Sequence, residues 1–313
     1  MMWLTTIGQM LLLVLSAPLL LGVVKIIKCF FQNRKGPSVL QPYRNLNKLF
    51  RKEVIVANTT SPLFRIAPYI IFSGTVISCA AVPLLIVNAS NIVIADVIVL
   101  VGLFSLTRFF LALAGLDAGT AFGGMGSSRE LMIAAIAEPA LLMVLFTVAM
   151  TAASTNLDVI INYFSMNHLI LRPSLIFAAM SLAIIAVTET GRIPIDNPAT
   201  HLELTMIHEA MILEYSGRHL ALIEWSAQIK FMLYAVLWVN LFSPVGIAHD
   251  FTLGAFGLSV LSLIGKLLIL MVALGITEIS LAKLRLFRVP YLLNLAFVLG
   301  LLAMLIHIIL EVG

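Results

Sequence analysis

A chain of 313 residues that is 61% hydrophobic and 11% charged, with a mean hydropathy of +1.09, carries more apolar surface than a soluble fold can hide. Its solvent must be lipid. The net charge of +4 is confined to a few connecting stretches, which argues against nucleic-acid binding. Cys29 and Cys79 stand far apart with no CxxC pair, which argues against a cysteine-held cluster, a zinc site or a disulfide.

Eight stretches are apolar over about 20 residues, the length a helix needs to cross a bilayer. The first, 3–27, has no basic residue before its apolar run, and Lys25 and Lys28 come at its end. That order predicts a retained span with the N-terminus outside rather than a cleaved leader. A basic segment, 33–53, follows. After the Gly36-Pro37 turn and Pro42, apolar Tyr43, Leu46, Leu49 and Phe50 recur at helical spacing, while Arg44, Lys48, Arg51 and Lys52 take the other face. This amphipathic helix either lies on anionic lipid or, with Arg34, Arg44, Lys48 and Arg51 as contacts, docks a soluble partner.

Spans two to five are expected at 66–88, 92–114, 131–153 and 170–189, and spans six to eight at 229–248, 252–277 and 290–311. Lysines and arginines gather in the loops after spans one, three, five and seven, and those near 89–91, 154–169 and 249–250 carry none. The expectation is an all-α, polytopic membrane bundle over 1–313 with eight spans, both termini outside and the polar loops in the cytoplasm. Charges inside a span cost at least ~2.5–3.5 kcal/mol each near its centre. Arg108 in span three, Asp117 just beyond it, Glu138 beside Pro139 in span four, Lys230 opening span six, Lys266 in mid-span seven and Glu278 at its inner end therefore need partners or water. They are either structural ion pairs or a proton relay, since desolvated groups can exchange protons near neutral pH.

Residues 189–218 read ETGRIPIDNPATHLELTMIHEAMILEYSGR. Gly191, Pro194 and Pro198 break the helix after Glu189. The part from His201 on looks helical again, with Glu203, Glu209 and Glu214 among Leu204, Ile207, Met211 and Ile212. The loop 190–228 is expected to fold back on the bundle and form a carboxylate-rich pocket. A metal on His201 and His208 with Glu203 or Glu209 is the competing reading, although HLELTMIH lacks the HExxH spacing. A solvated amphipathic helix is the other.

The ET-R-P-D pattern (Glu189, Thr190, Arg192, Pro194, Asp196) and the EYSG pattern (Glu214 to Gly217) resemble part of respiratory complex I. The likeness is to the loop between spans five and six of its H subunit, the membrane chain that joins the hydrophilic arm to the proton-pumping arm. RKGPSVLQPYRNLNKLF, FRIAPY, GLDAGTAFGGMGSSRE and AEPALL are more similar to the corresponding subunit of membrane-bound nickel–iron hydrogenases, the formate hydrogenlyase subunit 4 and hydrogenase-4 component C type. The resemblance covers the whole chain and implies an eight-span fold. It implies that Glu138 is a buried acid at the start of a proton path, with Glu189, Asp196, Glu203 and Glu214 as an acidic funnel organised by Arg192. Lys230 matches a lysine of the hydrogenase type, and Lys266, Asp117 and Glu278 complete the expected path. A glutamate typical of complex I falls on Ala227, and Ala199 and His201 interrupt its glutamate run, which favours the hydrogenase type over quinone chemistry.

The function implied is a non-catalytic, membrane-anchoring subunit of a respiratory hydrogenase complex in the prokaryotic plasma membrane, linking electron transfer in a soluble arm to proton or sodium movement. No cofactor is expected on this chain; a nickel–iron centre and iron–sulfur clusters belong to partner subunits. The partners expected are the hydrogenase large and small subunits, antiporter-like membrane subunits and lipid. The alternatives are a quinone-site subunit of a complex I-like enzyme and a standalone ion transporter. The absence of internal repeats argues against the last.

Overall fold

In the computed structural model, residues 2–57, 59–86, 95–166, 172–193, 196, 206–248, 253–284 and 286–311 are described. Among them the regular structure is helical, and the only strand-like pairings are two isolated bridges, Ile86 with Ala248 and Asp96 with Asn156. The helices are α1 (Met2–Phe31), α2 (Gln41–Phe50), α3 (Pro62–Ala81), α4 (Val97–Asp117), α5 (Ala121–Ala152) and α6 (Leu157–Met166). Then come α7 (Pro173–Glu189), α8 (His208–Ile212), α9 (Gly217–Phe242), α10 (Leu253–Ser280) and α11 (Val289–Ile306).

Seven of these, α1, α3, α4, α5, α9, α10 and α11, are long and apolar enough to cross a membrane. The expected fifth span corresponds to α7, which has 17 residues. At 1.5 Å per residue it reaches about 25 Å, short of a ~30 Å hydrocarbon core. Further boundaries differ from expectation, among them the end of α3, at Ala81 rather than 88, and the end of α9, at Phe242 rather than 248. Helix α5 starts at Ala121, ten residues before the predicted span, because the glycine-rich stretch GGMGSS is helical. The lack of a side chain at Gly126 lets α5 approach α8: a β-carbon there would sit 3.0 Å from the Ile207 carbonyl oxygen. Helix α9 starts at Gly217, so the end of the predicted loop, 217–228, forms its first three turns. The connection 154–169, read as plain loop, contains α6.

Helix α9 is the hub of the bundle, with Ile229, Leu233, Val236 and Leu237 in the core. It packs on α1, α2, α3 and α7, while α11 packs on α5 and α7. Pro18 inside α1 removes the amide that would bond the Val14 carbonyl. That carbonyl instead accepts a hydrogen bond from the indole Nε1 of Trp225 on α9 at 3.1 Å. The next carbonyl, Leu15, accepts from the Tyr43 hydroxyl of α2. Two side chains thus satisfy this stretch of α1, and the amphipathic helix is drawn in against the bundle through Tyr43 and buried Leu46.

Candidate functional site: a buried charge network at the basic end

The helix ends that carry the basic residues meet at one end of the bundle, where buried charges collect around Arg108. Its side chain is 4% exposed. It lies on α4, which packs on α3 and on α5. An isolated buried guanidinium would be costly, and three carboxylates from two other helices surround it. Glu130 and Glu138 come from α5 at 3.4 and 3.2 Å; the Glu138 side chain, expected to be buried, is 34% exposed. Glu189, the last residue of α7, contacts the guanidinium directly. The same Glu189 oxygen takes the Lys230 ammonium of α9 at 2.8 Å. Three carboxylates and two cations leave one negative charge over. Beside this knot lies a cavity of about 90 Å³, lined by Arg108, Glu130, Glu189, Asp196, His208 and Lys230 among others. Apolar Ile71, Leu111, Ile133, Ile207 and Ile223 make up much of the rest of its wall, and its size and charged side suit a few water molecules.

A second knot ties the acidic loop to its surroundings. Glu278 at the end of α10 receives Arg192 at 3.0 Å and Lys28 of α1 at 2.6 Å. The Arg192 guanidinium also lies 3.7 Å from the Phe231 ring centre. Burial pulls the pKa of Arg192 down from the ordinary arginine range, and Glu278 offsets part of that. Asp196 takes Lys283 at 2.9 Å and the Ile207 amide at 3.1 Å. Arg129 donates to the neighbouring Met206 carbonyl at 2.8 Å.

The structure thus brings Glu138, Glu189 and Lys230 together, and joins Arg192, Asp196 and Glu278 to one strap of loop. It does not bring the others to this place. Asp117 accepts the Ser61 amide at 2.9 Å and so holds the start of α3. Glu214 is exposed, Lys266 is half-buried, and neither has an ion pair among the described residues. Lys266 lies beside the α9–α10 connection with Asn240, Gly246 and Ser262 as neighbours. Glu203 lies outside the described residues, as does His201 of the metal reading. Among the described residues no group of His, Cys, Asp or Glu is arranged to hold a metal. Arg34, Arg44, Lys48 and Arg51 are all exposed on the first loop and on and just after α2. The expected pocket of carboxylates is instead a network in which Glu130, Glu138, Glu189, Asp196 and Glu278 each face a cation.

Glu130 has no role in the expected path, and Arg108 is expected only as one of the charges within spans that need a partner or water. Glu130 lies two helical turns before Glu138, a relation that becomes visible once α5 is read from Ala121. Ala227, where complex I carries a glutamate by the resemblance, lines the cavity.

The EYSG residues do something different. The Tyr215 ring stacks on Phe64 at 3.9 Å and its hydroxyl donates to the Phe64 carbonyl at 2.9 Å. Burial, then the charge of Asp117, pushes this phenol's pKa up. The Ser216 hydroxyl pairs with both the amide and the carbonyl of Ile55, each at 2.8 Å. Gly217 has φ +53, and a β-carbon there would lie 2.5 Å from the Glu53 carbonyl oxygen. Only glycine fits such a turn against a neighbouring backbone.

Comparison with known proteins matches residues 4–310 to the NADH dehydrogenase family. The chain is 32% identical to hydrogenase-4 component C of Escherichia coli K12, over 95% of this chain and 93% of that protein. It is 33% identical to formate hydrogenlyase subunit 4 of the same organism, over 90% and 91%. The H subunit of the NADH-quinone oxidoreductase of Salinibacter ruber is 26% identical over 77% of this chain and 73% of its own length. Among solved structures, a chain of the membrane-bound sulfane sulfur reductase, an archaeal respiratory membrane complex, shares the fold with TM-score 0.74 at 15% identity, over 97% and 98% of the two chains.

Proposed function

Because the chain belongs to the NADH dehydrogenase family, we propose that it is the membrane-anchoring, ion-coupling subunit of a formate hydrogenlyase-like respiratory hydrogenase complex. In this reading α7 crosses as an eighth span, shortened where the acidic loop enters the membrane. Both termini face outward, and the basic end faces the cytoplasm of a prokaryotic cell. Hydrogenase large and small subunits, which carry the nickel–iron centre and the iron–sulfur clusters, sit on that end, and antiporter-like subunits sit beside the bundle in the lipid. The observation that carries the reading is the Arg108 knot. Glu130, Glu138 and Glu189 share two cations next to a cavity large enough for water, so the group carries one uncompensated negative charge that a proton can neutralise.

The chemistry assigned to the chain is movement of that proton. When the soluble arm changes its redox state, a shift of the loop strap alters the pairing of Glu189 between Arg108 and Lys230, and Glu138 takes up or releases a proton in response. Arg192, Glu278, Lys28, Asp196 and Lys283 form the strap, so they set the position of the loop rather than carry charge.

The test is Glu138→Gln in the purified complex reconstituted into liposomes. Ion movement per electron is expected to be lost while hydrogenase turnover by the soluble arm persists. A mutant that pumps at the normal ratio overturns the assignment. The quinone-site alternative rests on the similarity to the quinone oxidoreductase chain. It predicts turnover that depends on added quinone, whereas the hydrogenase reading predicts hydrogen evolution insensitive to quinone analogues.

A further inference from the structure

We propose that Tyr234 positions the proton that moves through the Arg108 knot, its hydroxyl holding, with Lys230 and Glu138, the water that passes the proton between α9 and α5. The inference rests on the ion-coupling reading above and assigns to it a residue that neither sequence motif contains.

Tyr234 is 2% exposed, and its hydroxyl has no hydrogen-bond partner among the described residues. A buried hydroxyl without a partner is rare, and a polar site next to it is where one is expected. Its ring stacks on Phe104 with centroids 5.1 Å apart and planes 27° from parallel, so its direction is set. Long side chains of α4 and α9 reach each other here. Arg108 and Lys230 meet across the gap through Glu189, and one turn deeper Phe104 and Tyr234 meet through their rings. Phe104 stands one turn from Arg108, which holds Glu138 at 3.2 Å, so the Tyr234 ring and the Glu138 carboxylate flank the same stretch of α4.

Beyond Tyr234 both helices are closed to a proton. Ala235, Val236 and Leu237 on α9, with Val101 and Leu100 on α4, are buried and apolar. The next buried polar group on α9 that has a hydrogen bond, Asn240, donates to the Pro83 carbonyl at 2.7 Å. It lies about 9 Å further along the helix. Trp238, in between, donates its indole N–H to the Ala179 carbonyl. A path entering from the basic end therefore turns at Tyr234, toward Glu138 on α5. The water, held by the hydroxyl, gives a proton to the Glu138 carboxylate as it takes one from the Lys230 ammonium. One N–H bond and one water O–H bond break, two O–H bonds form, the tyrosine is unchanged, and no electron is moved.

Tyr234→Phe keeps the ring, the stack on Phe104 and nearly all the volume, and removes only the hydroxyl. In the native complex in liposomes, protons moved per electron should fall about tenfold or more, the scale of a lost proton-transfer group. In detergent, the infrared carboxyl band of Glu138, identified by its loss in Glu138→Gln, should shift. A packing role would move neither, and an unchanged value in either readout overturns the proposal. The infrared measurement serves equally if the variant complex reconstitutes poorly. If Glu138→Gln stops pumping and Tyr234→Phe does not, only this inference fails. If both pump normally, the coupling reading fails with it.

Discussion

The two ends of the segment that joins α7 to α9 are used in opposite ways. At the start, Glu189, Arg192 and Asp196 each reach a charged side chain on another element, and the ion pairs tie this stretch to α4, α9, α10 and the stretch after α10. At the finish, Tyr215, Ser216 and Gly217 make contacts of ring and backbone with the first loop and the start of α3. Glu214, between them, is exposed. The acid-rich motif thus divides into an electrostatic strap and a mechanical staple. A glutamate in a family motif need not belong to the charge path, and the motif's tyrosine and glycine explain themselves without chemistry.

Substitutions can break this contrast, and the largest effect belongs to the electrostatic end. Arg108→Ala strands Glu130, Glu138 and Glu189 around a single remaining lysine. Removing one partner of a buried pair costs about 3–5 kcal/mol. Thermal unfolding in detergent, or simply the yield of folded chain, should register it, and a variant as stable as the parent would mean the knot is hydrated enough to need no guanidinium. At the mechanical end, Gly217→Ala forces a β-carbon into a left-handed turn against the Glu53 carbonyl. A cost of roughly 2 kcal/mol is expected from the turn and the contact together. This variant should loosen the first loop, seen as faster proteolysis near Glu53, yet leave the ratio of ions to electrons intact in complexes that assemble. A changed ratio would erase the distinction between strap and staple.

The smallest effect on stability is expected on the exposed face. Charge reversal at Arg44, Lys48 and Arg51 should change the fold's stability by no more than about 0.5 kcal/mol, as for surface changes in general. The same reversal should weaken retention of the soluble arm during purification in a salt-dependent way. Undiminished retention would leave lipid as the partner of that face.

Much of the architecture was legible in composition and pattern. Apolar length alone marks α1, α4, α10 and α11 to within a few residues and finds α3 although it misplaces its end, because a helix in lipid must satisfy its own backbone and must be long enough to do so. The spacing of Tyr43, Leu46, Leu49 and Phe50 likewise marks α2. The starts of α5 and α9 were not legible, since glycine, serine and charged residues read as loop until a neighbouring helix is seen to need their small size or their charge. The same holds for the site. Hydropathy finds that Arg108, Glu138 and Lys230 are charges within spans that require partners or water, but a single chain of letters does not say which partner each has.

The sequence by itself determined that the chain is a helical membrane bundle, which of its charges fall within spans, and which motifs tie it to its relatives. Each follows from local cost: an apolar run prefers lipid and a buried charge is expensive wherever it occurs. Only the tertiary structure decided that Glu130 and Glu138 share one arginine with Glu189, that EYSG is a staple, and that the Tyr234 hydroxyl is buried without a partner among the described residues. Those are facts about distance between helices far apart in the chain, and pairing energies at low dielectric depend on distance.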